Sequence, residues 1–246
     1  MKQFLIYCLF LPFAGTVFIH CGGNRQPQTT ATEEGFQSMF DGKTLDGWEF
    51  DSVYWSVQDG IMVGEIMPET ILKRNSFIIK KDLILRDFEM KVEYRISETG
   101  NSGLSYRNAA IDTLPYALTG YQADIDGRNF YTGQNYEERG RQFLALRGQT
   151  TVIETEHVSP TSKEVREQFN LTGDSLSRHI KKGEWNEYRI IAKGNRLQHY
   201  INDVLMSDVT DNDTINRRME GVFGVQVHVG PPMKVEYRNF RVKTLE

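Results

Sequence analysis

The 246-residue sequence predicts an all-β protein, a β-sandwich of jelly-roll type made of two stacked antiparallel sheets with a concave polar cleft. Short runs alternate apolar and polar residues with a period of two, and Gly, Asn and Asp bound them, as antiparallel strands require. About a dozen such runs follow one another at short spacing, an arrangement that leaves one sheet face free to curve around a ligand. Helical spacing is scarce, and neither an internal repeat nor a second linker divides the chain. Residues 35–246 therefore read as one domain, with about 210 residues to enclose one core.

The chain opens Met1-Lys2-Gln3, runs apolar from Phe4 to Ile19, and reaches Cys21-Gly22-Gly23-Asn24. Residues 1–20 read as a lipoprotein-type signal peptide, and 21–34 as a flexible linker leading from a lipidated Cys21. The apolar run is shorter than the roughly 17–25 residues of a spanning helix. Small residues normally precede a lipidated cysteine, and Ile19 and His20 depart from that pattern, so ordinary cleavage and an uncleaved anchor stay as alternatives. The expectation is export to the bacterial periplasm or outer membrane, with the lipid anchor as the one membrane contact. Cys8, the other cysteine, lies inside the signal, which leaves no disulfide framework. A net charge of −4 with mixed signs provides no basic stripe for nucleic acid, and no Gly-rich phosphate loop opens a helix.

The elements follow in order. Strands are predicted over 54–58, 61–66 and 76–80, and most clearly over Asp87 to Ile96. There Phe88, Met90, Val92, Tyr94 and Ile96 share one face while Glu89, Lys91, Glu93 and Arg95 share the other. Further strands are predicted over 103–107, 121–126, 143–146 and 150–154. Ser159 to Phe169 opens Ser-Pro and spaces Val165 and Phe169 four apart, which predicts one short helix. Strands at 187–193, 196–201, 222–229 and 234–242 complete the domain, with turns at Gly194-Asn195 and Asn202-Asp203. The charged segment 128–147 reads as a solvated loop, although Tyr, Phe and Gly interleave its charges.

Within 121–126, alternation puts Gln122, Asp124 and Asp126 on one face and Tyr121, Ala123 and Ile125 on the other. An amide and two carboxyl groups facing one space suit the floor of a cleft for a hydroxyl-rich ligand; a solvated face is the alternative. Asp126 precedes Gly127, where an aspartate commonly serves a turn. His228 shares a face with Gln226 near a strand end, and its imidazole exchanges protons near neutral pH; a structural histidine is the alternative. Arg107 ends a strand where its guanidinium can donate two hydrogen bonds to a ligand oxygen or pair with a neighbouring strand. Arg238, with Glu236 on its own face, reads as a pair within the sheet, and Trp48, Trp55 and Trp185 as core aromatics. The cluster Asp208, Asp211, Asp213 is as readily a hairpin loop as a calcium site. With no close His or Cys pair, no metal and no cofactor is predicted, although the fold would admit a structural calcium.

Several stretches together carry a resemblance: Phe40-Asp41-Gly42-Lys43-Thr44-Leu45-Asp46-Gly47-Trp48, Trp55-Ser56-Val57, Asp87-Phe88-Glu89, Asn101-Ser102-Gly103, Tyr106-Arg107, Gly120-Tyr121-Gln122, Trp185-Asn186 and Arg238-Asn239-Phe240. In this order, across 35–246, they resemble the 3-keto-disaccharide hydrolase family. The resemblance implies a concanavalin A-like jelly roll, often secreted or lipid-anchored, acting on a glucoside or disaccharide whose C3 is already a ketone. That ketone acidifies the C2 hydrogen, so a base can remove it, the aglycone can leave C1 by elimination, and water can add. The implied catalytic residues are His228 and Asp124 with Glu137 or Glu138. Gln122, Arg107, Gln226, Tyr136, Arg139 and Asp126 would hold the sugar. An oxidoreductase would have to make the ketone beforehand.

Two other functions stay open from the residues. Jelly rolls also serve as non-catalytic carbohydrate-binding modules, because fold does not decide function. Positions 124 and 126 lie roughly 6.5 Å apart along a strand, near the about 5–5.5 Å of a retaining glycosidase, so Asp124 and Asp126 are also a candidate glycosidase pair.

Overall fold

The computed structural model describes Met1, residues 33–172 and residues 174–246. The expected signal peptide beyond Met1, Cys21 and nearly all of the linker lie outside the described residues. Fifteen strands are described: β1 (Gln37–Ser38), β2 (Trp55–Gln58), β3 (Ile61–Ile66), β4 (Ser76–Leu85), β5 (Phe88–Ile96), β6 (Asn101–Ala110), β7 (Leu118–Asp126), β8 (Asn135–Glu138), β9 (Gln142–Ala145), β10 (Thr150–Ile153), β11 (Asn186–Lys193), β12 (Arg196–Ile201), β13 (Val204–Asp211), β14 (Gly221–Val227) and β15 (Met233–Thr244). One helix, α1 (Ser162–Thr172), and a 3₁₀ turn, Ser175–His179, interrupt them.

The strands form the expected sandwich. A nine-stranded sheet runs β10-β13-β12-β11-β5-β15-β3-β2 with β1 also on β15, and a six-stranded sheet runs β4-β14-β6-β7-β8-β9. Every pairing is antiparallel except β10 with β13. The core lies between the sheets because alternation sends one face of each strand inward: in β5, Phe88, Met90, Val92, Tyr94 and Ile96 are all buried against Leu104, Tyr106, Tyr121 and Val225 of the other sheet. Each such side chain contributes about 1.5–3 kcal/mol by leaving water.

Local chemistry explains the punctuation. Asn202 and Asp203 both adopt positive φ, 49° and 65°, the type I′ geometry that matches the twist of a two-residue hairpin. The helix starts three residues later than Ser159 because Thr161 and Glu164 form a reciprocal capping box: the Glu164 amide donates to Thr161 Oγ1 at 3.3 Å, and the Thr161 amide donates to Glu164 Oε2 at 2.7 Å. Val165 is buried against Phe143 and Leu146.

Two segments differ from expectation. Residues 135–138, expected in a loop, pair with β7 and β9. Asp208 and Asp211, expected in a hairpin loop or calcium site, belong to β13, where arginines pair with them. Arg196 holds Asp208, while Arg141 grips Asp211 in two parallel bonds of 2.9 and 2.7 Å and reaches Glu137 at 2.6 Å and Asp213 at 3.2 Å. Tyr121 OH of the opposite sheet completes this tie by donating to Asp211 Oδ2 at 2.5 Å. In the linear sequence these paired charges look solvated, because the pairing spans distant positions.

A second tie between the sheets is His199, fully buried on β12. Its Nδ1 lies 3.1 Å from the Gln134 carbonyl, which only accepts, so Nδ1 carries the hydrogen and Nε2 accepts from Tyr106 OH at 2.9 Å. Burial lowers the imidazole pKa to about 3. An unfolded chain binds a proton at this residue below its ordinary 6.5 while the folded chain does not, so the contribution is complete above pH 6.5 and is lost as pH falls toward 3. The slope is at most about 1.4 kcal/mol per pH unit. Urea unfolding between pH 7.5 and 4.5 should show this loss in the native chain and a shallower one in His199→Gln; identical slopes would remove the explanation.

Candidate functional site

The register of the six-stranded sheet assembles its concave face. Asn101 pairs with Asp126, Gly103 with Asp124 and Ser105 with Gln122 between β6 and β7, and Gln122 pairs with Tyr136 between β7 and β8. Paired residues share a face. His228 joins at the end of β14, where its amide donates to the Asn101 carbonyl at 3.3 Å. The result is a cleft of about 380 Å³ into which Gln122, Asp124, Tyr136, Glu138, Arg139 and His228 converge. Asn75, Asn101, Tyr131, Phe143 and Ser162 complete its walls.

The floor is a chain of polar contacts. Ser105 Oγ donates to Gln122 Oε1 at 3.0 Å, and Gln122 Nε2 donates to Asp124 Oδ1 at 2.9 Å. Gly103 makes this possible: a β-carbon there would lie 2.5 Å from Gln122 Cγ and 2.6 Å from its Cδ. The Gln122 side chain lies across the space a larger residue would fill. Asp124 is buried, among the described residues it forms no ion pair, and loss of water raises its pKa well above the ordinary carboxylate value. The Gln122 bond opposes that rise, while the negative charges of Asp126 and Glu138 add to it. Asp124 is therefore suited to carry a proton where ordinary carboxyl groups have lost theirs.

Glu138 stands opposite, with Asn75 Nδ2 at 3.3 Å, Gln226 Nε2 at 3.5 Å and Arg139 Nε at 3.8 Å. Arg139 has φ of 55° in the turn after β8, and its guanidinium is partly exposed at the cleft. Burial, aided by Glu138 and Asp124, raises the Tyr136 phenol to about 12, so it remains a neutral hydroxyl. His228 is half-buried, and its Nδ1 lies 2.6 Å from the Val229 carbonyl. A carbonyl accepts only, so Nδ1 is the protonated nitrogen and the neutral ring keeps its lone pair on Nε2.

Four expected site residues do other work. Arg107 shares parity with Gly103 and Ser105, but a β-bulge shifts the register after Tyr106 and Arg107 takes φ of 50°. Its fully buried guanidinium pairs with Asp87 at 2.9 Å and donates to the Arg86 and Gly194 carbonyls, both at 2.7 Å, so it is structural and remote from the cleft. Glu137 alternates with Tyr136 and Glu138, faces away and pairs with Arg141. Gln226 has no exposed surface and reaches the cleft through Glu138. Asp126 receives the amides of Phe130, Tyr131 and Thr132 at 3.2, 2.7 and 3.0 Å. Its carboxylate shapes the loop that presents Tyr131.

The side chains missed in the sequence sit at element ends or on loops. Asn75 immediately precedes β4 and Asn101 opens β6. Parity with Gly103 and Ser105 was the available signal for Asn101. Tyr131, on a loop, stacks on Phe143 of β9 with centroids 6.0 Å apart, a contact that period alone does not reveal. Among the described residues no group of three or more His, Cys, Asp or Glu is arranged to hold a metal ion.

Fold and cleft together define a carbohydrate-active jelly-roll domain, of glycosyl hydrolase-like or carbohydrate-binding kind. The chain belongs to the family described as the 3-keto-alpha-glucoside-1,2-lyase-like domain, whose model matches residues 35–243. Solved structures share the fold. A candidate glycosyl hydrolase from Parabacteroides distasonis is 18% identical, with 87% of this chain and 95% of that chain covered and a TM-score of 0.57. A protein of unknown function with a galectin-like fold from Bacillus subtilis is 12% identical, with 85% and 98% covered and a TM-score of 0.54. The carbohydrate binding module CBM66 from Bacillus subtilis is 17% identical, with 80% and 96% covered and a TM-score of 0.52. Among curated proteins none matches the chain.

The contact between Gly103 and Gln122 yields a direct test. Gly103→Ala should destabilise the fold by about 1–3 kcal/mol through overpacking, and adding Gln122→Ala should recover part of that loss. Urea denaturation of the two single variants and the double variant measures the coupling. Strictly additive losses would mean that the Gln122 side chain does not depend on the space above Gly103.

Proposed function

We propose that this cleft cleaves 3-keto-glycosides by elimination. The observation that carries the reading is the convergence, in one cleft, of a carboxyl group whose pKa burial raises and an imidazole whose Nδ1 faces a carbonyl and leaves Nε2 toward a ligand. In the proposed sequence His228 Nε2 removes the C2 proton, which the C3 ketone has made acidic, and an enolate forms across C2 and C3. The enolate then collapses: C3 regains its carbonyl, a C1–C2 double bond forms, and the C1–oxygen bond breaks. Asp124 gives its proton to the departing aglycone oxygen. Gln122 orients Asp124 and retains a second amide hydrogen for the sugar. Arg139 supplies the guanidinium expected from Arg107, placed to stabilise the enolate oxygen. Addition of water, hydroxyl to C1 and proton to C2, converts the lyase product into that of net hydrolysis.

Such a substrate must come from a reaction that oxidises a glucoside at C3. Export and anchoring through Cys21, both read from the sequence, would place the protein where glycosides arrive from outside. Membership in the family and the chemistry of the cleft support this reading over a purely binding role, because a ligand platform has no need of a carboxyl group with a raised pKa in the same cleft as an imidazole.

Incubation with a 3-keto-glucoside and with its unoxidised parent separates the readings: the 3-keto compound should be cleaved and the parent left intact. Cleavage of the parent alone, or saturable binding with turnover of neither, would overturn the proposal. Asp124→Asn and His228→Ala should each lower kcat by about 10²–10⁴-fold. Loss of the Asp124 proton should also make native activity fall as pH rises through the raised carboxyl pKa, and Asp124→Asn should lack that alkaline limb. Persistence of the limb in the variant would deny Asp124 the acid role.

A further inference from the structure

The cleft continues past His228 into a second lobe of about 390 Å³. Asn101, Tyr131 and His228 line both lobes and form the boundary between them. Because His228 stands at that boundary, and because the proposed reaction breaks a bond at C1 next to the carbon it deprotonates, a sugar in the first lobe directs its aglycone into the second. This placement rests on the proposed reaction; the chemistry of the second lobe is a separate observation.

The second lobe contains two guanidinium groups, Arg128 and Arg166, beside Phe130, Tyr131, Pro231 and Met233. Among the described residues neither arginine has a carboxylate partner. Arg166 is steadied by a bond from its Nη1 to Tyr131 OH at 3.0 Å, which leaves its other donors unspent. Of the two carboxyl groups in this lobe, Asp126 is consumed by the amides of its own loop, and Glu98 forms no ion pair with either arginine. The cationic pair differs from the first lobe, where Arg139 lies beside Glu138. We infer that the second lobe is an aglycone subsite for a carboxylate-bearing leaving group, with Arg128 and Arg166 as its specificity-determining residues. A guanidinium matches a carboxylate through two parallel hydrogen bonds, and the flanking rings and Pro231 cover the body of the aglycone.

Two sources of carboxylate fit, an aromatic acid and a uronic acid, and matched ligand pairs distinguish them. Calorimetry on the unoxidised compounds, which bind without the proposed turnover, compares a 4-carboxyphenyl glucoside with its 4-carboxamide, and a glucosyl-glucuronic acid with glucosyl-glucose. The acid of at least one pair should bind about tenfold more tightly at low salt. The gap should fall below about twofold in Arg128→Gln/Arg166→Gln and in high salt. Arg128→Gln alone, which leaves the bond to Tyr131 intact, should already narrow it. A gap in the aryl pair assigns an aromatic acid, and one in the disaccharide pair a uronic acid. Equal affinities within both pairs, a gap the double variant retains, or no binding by any of the four would overturn the inference. Turnover of methyl 3-keto-glucoside by the native protein reports on the proposed reaction separately, because a one-carbon aglycone does not occupy the second lobe.

Discussion

A β-strand turns alternate side chains to opposite faces, and in β7 neither face is open water. Tyr121, Ala123 and Ile125 belong to the core between the sheets, while Gln122 and Asp124 are buried on the concave side. The strand is therefore required to hold an amide and a carboxyl group out of water. Burial of a polar group is costly unless its hydrogen bonds are met, and the relay from Ser105 through Gln122 to Asp124 meets part of that requirement. The remainder appears as the raised pKa of Asp124. The chemistry proposed for the cleft is thus a consequence of the pleat and of what lies on either side of it.

The surrounding structure makes this arrangement tenable. Tyr121 donates to Asp211, which Arg141 fixes together with Glu137 and Asp213, so the inward face of β7 is tied to the opposite sheet by a charged network as well as by apolar packing. Tyr106 does the same through His199. Such networks hold only when their members are satisfied, and they leave the strands little freedom to shift register. A one-residue slip of β7 would exchange Asp124 for Ile125 at the cleft floor. At the end of the strand, Asp126 organises the loop that carries Tyr131 to the boundary between the two lobes.

The fold was legible because alternation is a local signal that burial later confirms, as in β5 and β7. Gln122, Asp124 and His228 could be placed on strand faces for the same reason. Arg107 shows where the sequence leaves a choice open: at a strand end its guanidinium suits a ligand oxygen or a neighbouring charge, and a bulge after Tyr106 places it in a buried ion pair with Asp87. No single residue in that stretch signals a bulge. Glu137 and Glu138 were indistinguishable until the pairing of β8 decided which faced the cleft. Asp208 and Asp211 looked like loop residues because the arginines that neutralise them, Arg196 and Arg141, are distant or unremarkable in the linear chain. Asn75, Tyr131 and Phe143 reach the site through tertiary arrangement alone.

The sheet pushes the pKa of the Asp124 carboxyl group well above the ordinary carboxylate value by burying it. Carbon-detected NMR titration of the side-chain carboxyl groups, with the Asp124 signal assigned by its loss in Asp124→Asn, measures this directly. The Asp124 resonance is predicted to titrate well above the ordinary carboxylate range, and lower again when Glu138→Gln removes a neighbouring charge. A midpoint near 4, unaffected by Glu138→Gln, would contradict the account.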